Sequence, residues 1–123
     1  LKPLIDAGVD AFHCSQRRFW EPEFDDSDMN LAGWVKKLTG MPTITVGSVS
    51  LDQDFVSQPS EGDGATSEPA SIDRLLEMMD RGDFDLVAVG RALIANPDWP
   101  KVVRSGDTSA LQAYNKDLLA ELA

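Results

Sequence analysis

Three times along the chain, a short apolar run of strand-forming residues gives way to a turn-rich stretch and then to an apolar stripe of helical period. The first run, AFHCS at residues 11–15, leads through a loop to Leu31, Trp34, Val35 and Leu38. Their i, i+3, i+4, i+7 spacing predicts a helix over 30–39, with Asn30 placed to cap it and Gly40 to stop it. The second run is TITVG at 43–47. Its helix carries Ile72, Leu75, Leu76 and Met79 on one face, with Pro69 near the first turn and Gly82 past the end. The third, DLVAVG at 85–90, predicts a strand at 86–89 and runs on into RALIANPDW. In NPD, Asn96 reads as a cap, Pro97 as the first helical position and Asp98 as a complement to the helix dipole. Leu111, Tyr114, Leu118 and Leu122 make a last apolar stripe, on which Tyr114 reads as a packing residue of a helix. The opening LKPLIDAGVD reads as the tail of a helix closing at Gly8, as in a piece cut from a longer protein.

Strands alternating with helices imply an α/β protein whose strands are parallel, adjacent and in chain order, joined by right-handed crossovers. Three such units fit either part of a (β/α)8 barrel or part of an open doubly wound sheet. A whole barrel takes about 250 residues, so on that reading roughly half is absent, and the open sheet edges favour self-association. Two connections are long. Residues 16–29 set Arg17, Arg18, Phe19 and Trp20 directly before Glu21, Glu23, Asp25, Asp26 and Asp28, which reads as an ion-paired, solvated loop. Residues 48–68 contain SQPSEGDGATSEP, a low-complexity acidic stretch expected to be mobile over about 52–68.

Composition narrows the function classes. The chain has 123 residues, one domain's worth, and a net charge of −10 that repels a polyanion such as nucleic acid. No apolar run is long enough to span a bilayer, and the start carries no basic-apolar-small leader pattern. Cys14 is the single cysteine, which excludes an intrachain disulfide and favours a reducing, cytoplasmic setting. It reads as an inert small hydrophobe. His13, the single histidine, lies on the first strand and reads as a hydrogen-bonded core or wall residue. No residue is assigned to a metal.

The chemistry concentrates at two strand ends. Gly47-Ser48 and Gly90-Arg91 each stand where α/β proteins build their sites, at the carboxyl end of a predicted parallel strand. A glycine there lets backbone N–H groups approach a ligand without a Cβ in the way. After Gly90, RALIA offers a short helical turn whose first N–H groups face an anion, and Arg91 adds a permanently charged fork of donors. Together these parts describe a phosphate cup. The plainer alternative is a pair of turn glycines and a solvated surface arginine.

VAVGRALIANPDW resembles the final-strand signature of the Old Yellow Enzyme family, the FMN-dependent NAD(P)H oxidoreductases and ene-reductases. TITVGSVSL resembles that family's preceding strand, and GVDAFHCSQRRFWEPEF with DMNLAGWVKKLTG the strand and helix before it. The resemblance covers about residues 1–105 and implies strands six to eight of a (β/α)8 barrel. It implies that Gly47, Ser48, Gly90 and Arg91 bind the FMN phosphate, with Arg91 also against the flavin edge. Where the family often has glycine after the GSV stretch, this chain has Ser50. The family's substrate-orienting histidine pair or histidine–asparagine pair and its tyrosine proton donor come from earlier strands. No catalytic residue is therefore assigned here, and the segment alone is expected to be inactive.

The expected activity of the whole protein is hydride transfer from NAD(P)H through FMN to a small-molecule acceptor. Two other readings use the same residues. One is a phosphate-binding barrel of another kind, an isomerase or synthase that grips a phosphorylated substrate. The other is a non-catalytic half-barrel that associates with itself.

Overall fold

The computed structural model describes residues 1–52 and 66–121. Most of the stretch expected to be mobile, and Leu122 of the last stripe, lie outside the described residues. The chain divides into two compact units, Leu1–Gly47 with Ile72–Ala88, and Ser48–Ser71 with Val89–Ala123.

The first unit is mixed α/β around a small parallel sheet. After helix α1 (Lys2–Asp6), strands β1 (Phe12–Ser15), β2 (Thr43–Val46) and β3 (Leu86–Val87) pair in that order, both pairs parallel, as the alternating pattern predicts. Each strand is shorter than its apolar run. The register sets Phe12 opposite Thr43, Cys14 opposite Thr45, and Ile44 between His13 and Leu86. Because side chains alternate across a strand, this puts two different surfaces on the sheet. One carries Cys14, Thr43 and Thr45, all buried. The other carries His13, Ile44, Val46 and Leu86, none of them buried, with Leu86 at 58% exposure. His13 is thus exposed on β1 and is not a core residue.

Helix α2 (Leu31–Thr39) packs on β1 and β2. Its start depends on Asn30, which is fully buried. The Asn30 Oδ1 accepts the Gly33 N–H at 2.9 Å, as an N-cap does. Its Nδ2 donates to the Phe19 carbonyl at 2.9 Å and to the Thr45 Oγ1 at 3.1 Å. Gly40 ends the helix in a left-handed conformation, φ 67°. The buried side of α2 is not quite the predicted stripe. Ala32 and Gly33 are buried while Leu38 is 71% exposed, because the two small residues bring the first turn close to its neighbours.

Helix α3 (Asp73–Asp80) likewise buries Leu75 and Met78 and leaves Leu76 exposed. Pro69 does not open it but pairs with Leu51 four residues earlier than the helix start. Arg81 and Arg74 both bind Asp28, and hold its carboxyl below the usual carboxylate range. Arg18 pairs with Glu21 at 2.6 Å and Phe19 is buried against Trp20, so this much of the 16–29 loop is ion-paired and packed. Cys14 is buried, and burial pushes its thiol pKa up, as suits an inert small hydrophobe.

The second unit is held by short backbone pairings. Its helices are α4 (Arg91–Ala95) and α5 (Trp99–Ser105), followed by a 3-10 turn at Lys116–Glu121. Asn96 does not cap α5, which starts at Trp99, two residues later than predicted. Instead the Asn96 Oδ1 accepts the Gln112 N–H at 2.8 Å and its Nδ2 donates to the Gln112 carbonyl at 3.0 Å. Tyr114 is also not helical. Ser67 and Tyr114 exchange both backbone hydrogen bonds, at 2.8 and 2.9 Å, in an antiparallel bridge. Tyr114 is a packing residue, 1% exposed, but an extended one. Among the described residues no helix is long and apolar enough to cross a membrane.

Two consequences can be measured. Asn30→Ala removes a cap and leaves the buried Phe19 carbonyl without this donor, at a cost of about 2–4 kcal/mol in urea unfolding. Asn30→Asp keeps the cap acceptor but loses both donors, so it costs at least as much; a neutral Asn30→Asp would contradict the assignment. The second concerns Asp85, which binds Lys36 at 2.7 Å and the Thr43 N–H at 2.8 Å, in that order the causes that hold its pKa down. A carboxyl depressed on folding contributes its stability above the ordinary value of about 3.9 and loses it as the pH falls through the folded value. Asp85→Asn should therefore melt below the parent at pH 7, and the gap should close below about pH 4.

Candidate functional site

Of the four residues predicted to bind phosphate, Gly47 belongs to the first unit, and Ser48, Gly90 and Arg91 to the second. The two glycines differ. Gly47 has φ 143°, and a Cβ there would lie 2.5 Å from the Gln16 carbonyl oxygen and 3.1 Å from the Phe19 nitrogen. Its carbonyl accepts the Phe19 N–H at 3.0 Å. Backbone conformation and close approach together account for glycine at 47 without a ligand. Gly90 has φ −109°, and a Cβ there would meet nothing within 4 Å. Among the described residues neither packing nor a left-handed backbone requires glycine at 90, and they leave the space beside it open.

Ser48 and Ser50 both have positive φ, 51° and 62°. Such conformations cost about 1–2 kcal/mol for a residue with a Cβ and gather where a loop serves a site. At Ser50 the left-handed backbone is one that glycine would take without a Cβ penalty. Ser50 is buried, and its carbonyl accepts the Ala70 N–H at 2.9 Å.

Arg91, first residue of α4, is half-buried. One terminal nitrogen donates to the Ser67 Oγ at 2.9 Å and the other to the Ser48 Oγ at 3.2 Å. Its guanidinium carbon lies 5.6 Å from the centre of the Tyr114 ring, within cation–π range. Two hydroxyls and an aromatic face help to orient the fork. A planar cation held this way suits a phosphate or carboxylate.

The structure thus brings Ser48 and Arg91 together and adds two residues that sequence reasoning missed. Ser67 sat at the end of a low-complexity stretch and carried no signal. Tyr114 carried one, an aromatic on an apolar stripe, but a helical assignment hid its neighbours. A separate surface depression of about 250 Å³ on α5 is lined by Pro100, Lys101 and Arg104.

No family model matches the chain. Over 113 residues the chain is 30% identical to a curated protein of Thermoanaerobacter brockii. That relative is named an NADH oxidase. The match takes in 85% of this chain but spans only 14% of the relative's length. The likeness is to part of an NADH oxidase.

The two glycines make different predictions. Gly47→Ala should cost about 2–4 kcal/mol, from an unfavourable φ and an overpacked Cβ, whereas at Gly90 an added Cβ overpacks no described atom, so Gly90→Ala should cost less. Ser50→Gly should stabilise by about 0.5–1 kcal/mol, since glycine takes φ 62° without a Cβ penalty. Denaturant unfolding of the three variants reads all of these.

Proposed function

We propose that this chain is the C-terminal part of a (β/α)8 barrel flavoprotein, strands six to eight, and that Arg91, with Ser48 and Gly90, grips the FMN phosphate of an NAD(P)H oxidoreductase. The observation that carries the reading is the Arg91 guanidinium, oriented by two neutral hydroxyls in the first turn after the third strand. The residues fit the group. The fork matches phosphate oxygens, and open space at Gly90 lets the anion approach the backbone. The likeness to an NADH oxidase supports a nicotinamide as reductant. For the barrel, support comes from three parallel strands in chain order and from a second sheet face carrying Ile44, Val46 and Leu86, of the kind that fills a barrel interior.

Bound there, the flavin supplies hydride transfer between NAD(P)H and a small-molecule acceptor. The part played by this chain is positional. Arg91 neutralises the phosphate, Ser48 and Ser67 hold the fork, and Gly90 leaves room for the approach. Substrate orientation and proton donation belong to the rest of the barrel. The protein is read as cytoplasmic, with no nucleic-acid or membrane partner.

In the full-length protein, Arg91→Ala should weaken FMN binding about tenfold to a hundredfold, the loss of a charged hydrogen bond of about 1.5–3 kcal/mol. Arg91→Lys should recover part of it, keeping the charge and losing the planar fork. Titration of apoprotein with FMN, followed by flavin fluorescence, checks both, and normal binding by Arg91→Ala would sink the reading. The isolated chain should show no NADH oxidase or ene-reductase turnover above free FMN.

A further inference from the structure

We infer that Ser67 is a positioning residue that tunes selectivity for the phosphate-bearing flavin by fixing the Arg91 fork. The inference rests on the flavin-phosphate reading above and extends it to a residue outside both glycine motifs. Ser67 is fully buried. Its N–H donates to the Tyr114 carbonyl and its carbonyl accepts the Tyr114 N–H, so its backbone cannot drift. That leaves the hydroxyl as an aimed group, and it accepts from Arg91 at 2.9 Å. The same bridge seats the Tyr114 ring, 1% exposed, 5.6 Å from the guanidinium carbon. One backbone pairing therefore fixes two of the contacts that orient Arg91.

An arginine side chain carries much rotamer entropy, part of which is lost whenever it binds an anion. Holding the fork beforehand removes part of that cost from the binding step. A carboxylate in the place of Ser67 would hold the fork equally well but would compete with the phosphate for its charge. A hydroxyl orients and does not compete. The benefit reaches only a ligand that carries the phosphate, so the quantity to follow is discrimination between FMN and riboflavin.

The test measures FMN and riboflavin dissociation constants, with melting temperatures, for the full-length parent, Ser67→Ala, Ser67→Thr, Arg91→Ala and the double variant Ser67→Ala/Arg91→Ala. Ser67→Ala should weaken FMN binding about threefold to tenfold, the share of the ordering cost that Ser67 removes beforehand, and leave riboflavin binding unchanged. Ser67→Thr keeps the hydroxyl and should keep the discrimination. On the Arg91→Ala background, Ser67→Ala should have no further effect. Equal weakening of both flavins, a lowered melting temperature with unchanged discrimination, loss of discrimination in Ser67→Thr, or full additivity in the double variant would each overturn the positioning role. If Arg91→Ala itself leaves FMN over riboflavin discrimination intact, the phosphate reading fails first. If Arg91→Ala removes it and Ser67→Ala does not change it, only the role of Ser67 is lost.

Discussion

The Asn30 carboxamide holds three separate stretches of the first unit with one buried side chain. Its oxygen starts α2, and its nitrogen joins the carbonyl of Phe19 to the hydroxyl of Thr45 on β2. A buried polar group that is satisfied on both sides costs little, and one that loses a partner costs the full desolvation of what remains. The fold of this unit is therefore sensitive to a single amide in a way that its apolar contacts are not. Phe19, held through its carbonyl, also donates its N–H to Gly47. The turn after β2 is in this way locked to the loop after β1.

Within the second unit the same logic is carried by a second buried amide and by backbone. Two reciprocal pairings, the Asn96 carboxamide with the Gln112 backbone and Ser67 with Tyr114 through their backbones, fasten the C-terminal stretch. The Ser67–Tyr114 pairing also places two groups against the Arg91 guanidinium. The short-range fit of that fork matters in a chain whose net charge is −10 and which repels anions at long range. Binding there depends on short-range fit at one cation.

Periodicity made the sheet legible. Parallel strands in chain order, the Asn30 cap and the Gly40 stop all follow from local rules that the tertiary structure does not override. Which side of each helix is buried was harder to read, because stripe counting ranks Leu38 above Ala32 while close packing prefers the smaller residue. Asn96 and Tyr114 were misplaced for a related reason. Both have side chains or spacings compatible with helix, and their actual partners, Gln112 and Ser67, are distant in sequence. At the candidate site, the motif pointed to Ser48 and Arg91 together. It gave no sign of Ser67, since nothing local marks a serine in a polar stretch as buried.

A crystal structure of the full-length protein with FMN tests the central claim most directly. The account predicts a flavin phosphate oxygen about 2.7–2.9 Å from an Arg91 terminal nitrogen, with Ser67 still holding the fork. A phosphate bound elsewhere, with Arg91 still engaged only by the hydroxyls of Ser48 and Ser67, would contradict it.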